Sequence, residues 1–398
     1  MPKLSEKRIA DNAAEKKRNM EDAPSVRYKN QTDEYNAAYR KWRSEKKISM
    51  GYVRTDNPNE LTYKDGVGFI SDDDAAFERR SMMFVISVVM GAMVLYYVLE
   101  MFSLHVLPLV LSAVGVNIGI DYSSGHLYGG GWEIIAVTLF MESAKRLVPF
   151  LIMKKYLNMP LSIILPMKAE DRDILAFSVP AAMLSYPFIL AVSAASNVVL
   201  RGIGISTSEY LVQTVETPLQ KTVMLMIVII IVPVLSELLL RGMVIHSMRQ
   251  FGDRYAVLMS ALISALCVHT ISQFCFSFVS TVLIGHFSLR SGSMISAVAM
   301  RITYRACTTA TWYGETAFDG GRYEIFMGSL LLACVIVGLA GAFIYITKSG
   351  RSPEIGTREK GLSAKEKLIC TVTCPSALVW LSAAAAMTVM SINMNIGR

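Results

Sequence analysis

The sequence predicts an all-α, polytopic transmembrane helical bundle with eight or nine spans. Three observations lead there. Hydrophobic residues make up 53% of the 398-residue chain and charged residues only 18%. The apolar residues gather into blocks of roughly 18 to 25, the length a helix needs to cross a bilayer core. These blocks lack the alternation of a membrane β-barrel, so backbone groups in lipid can be satisfied only within helices. A net charge of +7 raises nucleic acid as a partner. The Lys and Arg residues, however, lie mainly in an N-terminal arm and in short loops between apolar blocks, where positive-inside bias accounts for them, and this argues against nucleic acid.

Residues 1–80 read as a cytoplasmic charged arm, largely disordered or partly helical, with few aliphatic residues to build a core. Both signs of charge mix in "EKKRNMED" and "AAYRKWRSEKK", and acids cluster at Asp72, Asp73 and Asp74. Tyr35, Tyr39, Trp42 and Tyr52 interleave with Lys and Arg, which fits either a solvated tether or a segment lying on an anionic membrane surface. No short apolar core with a small-residue cleavage site occurs here, so a signal peptide is not expected.

N-terminal transmembrane helices are expected in 81–220. Arg79 and Arg80 precede the first span, "MMFVISVVMGAMVLYYVLEMFS", and favour a cytoplasmic N-terminus. "LHVLPLVLSAVGVNIGI" reads as a separate interfacial or re-entrant helix, and 131–153 and 174–198 as spans. A central core at 221–312 contributes 221–248, 255–270, 272–289 and 293–312. The C-terminal region 313–398 adds 324–347 and 371–392. Cys267, Cys275, Cys307, Cys334, Cys370 and Cys374 lack CxxC spacing and read as small buried thiols. No repeat or inverted pair of segments is visible, which counts against a transporter.

Ionisable residues at membrane depth cost roughly 2.5 to 3.5 kcal/mol each, so each needs a partner, a cavity or a role. Glu237 and Arg241 are spaced i, i+4 on one helix face in the favourable order for an ion pair. His269 is expected on the next helix at a similar depth, and Arg301 on a later one, which predicts one shared polar cavity. Arg301 and Arg305 are also i, i+4 but repel each other. Against Glu237 alone, the three arginines leave an excess of two positive charges, worth roughly 5 to 7 kcal/mol on the same scale. An anion, a lipid headgroup, water or Glu142 could compensate, although Glu142 pairs naturally with Arg146 on its own helix.

"PVLSELLLRG" (233–242), "ALCVH" (265–269), "LRSGSM" (289–294) and "RITYR" (301–305) together resemble the CPBP family, the CAAX-prenyl-protease and bacteriocin-processing intramembrane endopeptidases. The resemblance covers about 221–312. The family pattern is Glu-Glu-x-x-x-Arg on one helix, Phe-x-x-x-His on the next and His-x-x-x-Asn/Asp on a later one. In that register Glu237, Arg241 and His269 are retained. Ser236 stands where the family has the glutamate that activates the attacking water. Ala265 replaces the phenylalanine, Arg301 the final histidine and Arg305 the final Asn or Asp.

These departures remove chemistry. Serine has no useful basicity near neutral pH, and arginine can neither carry a proton nor bind a metal as a neutral histidine does. Glu237 and His269 alone fall short of the three protein ligands of a catalytic zinc, so no metal or other cofactor is expected. The resemblance therefore implies a pseudoprotease of the cell membrane, a non-catalytic binding or regulatory scaffold. Its partners would be membrane lipid and another membrane or envelope protein or a peptide. In a sharper version Arg241, Arg301 and Arg305 hold an anionic group such as a lipid phosphate or peptide carboxylate. Two alternatives stay open: an active endopeptidase in which Ser236 or Glu237 replaces the missing acid, serving peptide maturation or bacteriocin self-immunity, and a transporter.

Overall fold

The computed structural model describes residues 28–45, 62–64, 68–70, 74–121, 126–207, 215–349, 362–390 and 392–394. The expectations for "EKKRNMED", Tyr52, Asp72 and Asp73 lie outside these residues. The rest is a helical bundle with three short two-stranded ribbons: β1 (Thr62–Lys64) with β2 (Gly68–Ile70), β3 (Ile118–Ile120) with β4 (Leu127–Gly129), and β5 (Ile205–Thr207) with β6 (Ile392–Met394).

A short amphipathic helix, α1 (Asp33–Glu45), precedes the bundle. The first long helix, α2, runs from Asp74 to Met101 and continues through a wide π-helical turn, Phe102–Val106, into Leu107–Ala113. The stretch expected as a second, separate helix is therefore the end of the first. Pro108 does not break it, because it directly follows the π-helical turn, whose wider spacing accommodates a residue that has no N–H. Next come α3 (Gly131–Leu157), α4 (Leu161–Ile164) and α5 (Arg172–Gly202), whose first N–H groups are capped by the Asp171 side chain.

At the centre is α6, Pro218–Phe251. It starts at a Thr217–Gln220 capping box and contains two π-helical stretches, Ile227–Ile231 and Leu238–Ile245. Pro233 offers no N–H to the turn before it, and the first wide stretch lies there. The remaining helices are α7 (Asp253–Leu266), α8 (Ile271–Ser291), α9 (Met294–Ala317), α10 (Gly321–Ser349), α11 (Ala364–Thr373) and α12 (Pro375–Met390). Helices α3, α7, α8 and α9 all pack on α6.

By length and composition five helices among the described residues can cross a membrane: Glu78–Ala113, Arg172–Gly202, Pro218–Phe251, Gln273–Ser291 and Gly321–Lys348. A sixth follows if α11 and α12, bent by 75°, count as one span. The sequence pattern counted more because it included α3, α7 and α9. Helix α3 carries Glu142, Lys145 and Arg146 at its middle and α9 carries Arg301 and Arg305, while α7 has 14 residues and rises only about 21 Å. Helix α10 presents Leu332, Leu339, Phe343 and Ile346 outward, which suits lipid and not water.

The arm departs from the expected tether. Tyr35, Tyr39 and Trp42 are buried in the main core with residues of α2, α3, α6 and α7. The Trp42 indole N–H donates to the Leu157 carbonyl at 2.9 Å, and Tyr39 Oη donates to the His246 carbonyl at 3.0 Å. Tyr35 Oη shares a 2.8 Å hydrogen bond with His246 Nδ1, and burial pushes its phenol well above the usual range. The Arg249 guanidinium stacks over the Tyr28 ring, 3.6 Å from its centroid. Charge around these aromatics suggested a solvated face, yet the i, i+4, i+7 spacing of Tyr35, Tyr39 and Trp42 places all three on one side of α1.

Two glycines make this packing possible. Gly292 ends α8 at φ +71°, and a Cβ there would overlap the Asn30 carbonyl oxygen, so the turn before α9 accepts the arm only as glycine. A Cβ at Gly242 would come within 3.0 Å of the Ile164 side chain. Trp42→Ala should remove a buried indole and its hydrogen bond and destabilise the protein by about 3 to 5 kcal/mol. A lowered thermal midpoint of the purified chain in detergent checks this, and an unchanged midpoint contradicts the docked arm.

Candidate functional site

Two polar networks meet around α6. The first centres on Glu237, whose side chain is fully buried, with Arg241 buried beside it. Arg301 Nε donates to Glu237 Oε1 at 2.7 Å. Arg241 Nη1 donates to the same oxygen at 3.4 Å, and its Nε lies 3.0 Å from Oε2 as a charge contact without hydrogen-bond alignment. Arg241 Nη2 donates to the Thr281 carbonyl at 2.7 Å, and Arg301 Nη2 to the Thr281 hydroxyl at 3.1 Å. One carboxylate from α6 is thus shared between an arginine of its own helix and one of α9, and both arginines reach α8.

The second network begins at Ser236. Its hydroxyl donates to the Val232 carbonyl and accepts from Arg146 Nε, each at 2.8 Å. Arg146 pairs with Glu142 one turn before it, Lys145 bridges Glu142 at 2.7 Å and Glu100 at 3.0 Å, and Glu100 Oε2 lies 2.6 Å from His269 Nε2. The chain of contacts runs from α6 through α3 to α2 and ends at the α7–α8 connection.

His269 is not on a helix face, contrary to the sequence expectation. Helix α7 stops at Leu266, and His269 sits in the connection at φ +61°. That left-handed conformation is uncommon for a residue with a Cβ, and it turns the imidazole toward Glu100 and the Tyr97 ring, 5.1 Å between centroids.

Between the networks lies a partly open cavity of about 190 Å³. Its polar wall includes Arg146, Ser236, Ser264, Ser277, Arg301 and Arg305, and its apolar wall includes Met93, Val232, Leu240 and Phe276. Glu237, Arg241 and His269 are not among its lining residues. The three retained positions are therefore set back from the space, as is the substituted Ala265, whereas the substituted Ser236, Arg301 and Arg305 face it. Sequence reasoning missed Glu100 and Lys145. Each was visible as a charge inside an apolar block, but their pairing crosses helices and leaves no spacing to read.

The donor set does not fit a metal. Among the described residues no group of three or more His, Cys, Asp and Glu side chains could hold one. Glu237 is engaged by two arginines and His269 Nε2 by Glu100.

The family model described as type II CAAX prenyl endopeptidase Rce1-like matches residues 218–307, the segment that contains Ser236, Glu237, Arg241, His269, Arg301 and Arg305. Over residues 218–307 the chain is similar to Rce1-like endopeptidases. The matched segment occupies less than a quarter of the chain, and no curated protein or solved structure matches. With its apolar helices, the Rce1-like domain makes this a membrane protein, similar to CAAX proteases over that segment.

Within this segment the Glu237 carboxylate joins α6 to α9 through its two arginines. Glu237→Gln should cost about 3 to 5 kcal/mol, because it leaves buried arginine charge uncompensated. Ser236→Ala removes one hydrogen bond and should cost only about 1 kcal/mol. Denaturation of the two variants side by side in detergent checks the order, and equal losses would contradict the assignment of Glu237 as the keystone.

Proposed function

We propose that this chain is a multi-pass protein of the cell membrane whose Rce1-like domain serves as a non-catalytic binding or regulatory scaffold. The observation that carries this reading is the state of the two adjacent α6 positions. Ser236 stands where the resemblance calls for the water-activating acid, and its hydroxyl is already bonded to Arg146 and to the Val232 carbonyl. Glu237 is spent on Arg241 and Arg301. A general base must reach the water it deprotonates, and neither group is free to do so. No neutral histidine stands at 301 to carry the proton onward, since arginine stays charged.

Arg79 and Arg80, at the start of the first long helix, support a cytoplasmic N-terminus. An epitope placed before Met1 should be reached by antibody only after the cells are permeabilised, and labelling of intact cells would reverse the orientation. The docked α1 would then sit on the cytoplasmic side.

The deciding experiment is a cleavage assay on the purified chain in lipid, using a prenylated CAAX peptide and a peptide with a leader segment. The unaltered chain should cleave neither. Cleavage that disappears on Glu237→Ala would overturn the scaffold reading in favour of an active endopeptidase. Activity gained on Ser236→Glu would locate the missing chemistry at that one position.

A further inference from the structure

We infer that the cavity between the two networks is a binding site for a phosphate-class anion, with Arg305 as its anchoring residue. The inference rests on the scaffold reading in that the cavity holds this ligand and does not process it. It begins with which arginines face the space. Arg241 was expected to share in holding an anion, but it is sealed behind Glu237 and Thr281. Arg146 takes that place, so the wall carries Arg146, Arg301 and Arg305.

Their circumstances differ. Arg146 is committed to Glu142 and Ser236, and Arg301 to Glu237, Thr281 and Ser264. The guanidinium of Arg305 makes no ion pair and no hydrogen bond among the described residues, and it is part-buried in the cavity wall. A guanidinium has five donors in a fork that matches two oxygens of a phosphate or carboxylate. At this depth it needs such a partner, because a charge left unpaired inside a membrane protein is costly.

The charge balance points the same way. Glu100, Glu142 and Glu237 face Lys145, Arg146, Arg241, Arg301 and Arg305 across the two networks. Three carboxylates against five cations leave two positive charges over, even with His269 neutral. A phosphate oxyanion carries one to two negative charges. The space is far larger than the ~10 to 15 Å³ that a single water needs, and Ser264, Ser277 and Thr308 add hydroxyl donors around it. Its apolar half, with Met93, Val232, Leu240 and Phe276, suits a molecule with an anionic head and a lipid body. A lipid headgroup and free phosphate share the recognised chemistry, and the experiment separates them.

The test uses the full chain, purified in detergent and stripped of lipid. Binding of short-chain phosphatidic acid, short-chain phosphatidylcholine and inorganic phosphate would be measured by native mass spectrometry and by thermal shift. Phosphatidic acid should bind at least ~10-fold more tightly than the zwitterionic lipid, and Arg305→Gln should weaken it by roughly 10- to 100-fold, the value of one charge-assisted contact. Arg305→Lys should recover part of that affinity. Competition by inorganic phosphate would identify the anion itself as the ligand, and its absence would identify the lipid headgroup.

Equal binding of the two lipids, or no effect of Arg305→Gln, would overturn the site. If Arg305→Gln fails to fold, the unaltered chain decides. Higher ionic strength must weaken phosphatidic acid relative to phosphatidylcholine, and a flat response overturns the proposal. The cleavage assay run on the same preparation keeps the two ideas apart. Anion binding with cleavage would remove the scaffold reading alone, and no binding with no cleavage would remove the anion site alone.

Discussion

The carboxylate of Glu237 is the constraint on which the rest of the centre depends. A fully buried negative charge is tolerable only when paired and hydrogen-bonded, and here it meets arginines from α6 and α9 that are themselves tied to Thr281 of α8. Three helices are thereby fixed at one depth by a single side chain. The same pairing places a guanidinium nitrogen against each carboxylate oxygen.

The second network follows similar logic with different participants. Arg146 cannot be left alone in an apolar setting, so it leans on Glu142 and on the Ser236 hydroxyl, and Glu142 in turn shares Lys145 with Glu100. His269 joins only because the chain leaves α7 after Leu266 and turns it through a left-handed conformation toward Glu100. A short α7 and a strained connection are therefore part of how α2 is tied to the Rce1-like domain. On the other side, α1 is fastened to the Phe251 end of α6 by Tyr35, Tyr39 and Arg249. The helix that carries Ser236 and Glu237 is thus anchored at its end by a segment outside the matched residues 218–307.

Much of this was legible in the sequence and some was not, for definable reasons. Apolar block length gave the helical bundle, and the i, i+4 spacing of Glu237 and Arg241 gave their ion pair, because both depend on local geometry. Helix depth predicted one polar cavity shared by Glu237, His269 and Arg301, but of these only Arg301 lines it. His269 was misplaced because periodicity says nothing about where a short apolar helix yields to a turn. The stretch "LHVLPLVLSAVGVNIGI" looked like a separate helix, whereas the π-helical turn carries the first helix through to Ala113. The arm misled because composition averages over faces: α1 is charged overall, yet its three aromatic residues share one side.

The substitutions around the cavity also have a common direction. Counting the six family positions with neutral histidines and asparagine at the end, the family pattern carries one net negative charge. This chain, with Ser236, Glu237, Arg241, His269, Arg301 and Arg305, carries two net positive charges. Loss of chemistry alone would not require that change. A small or apolar residue at 301 and 305 would silence a protease at less cost than two arginines, each worth roughly 2.5 to 3.5 kcal/mol at membrane depth. Arg301 recovers part of its cost from its ion pair with Glu237, whereas the Arg305 guanidinium makes no ion pair or hydrogen bond among the described residues and feels Glu142 only at longer range. On the anion-site proposal, the remaining free energy of placing Arg305 beside the cavity is offset by an anion that enters it.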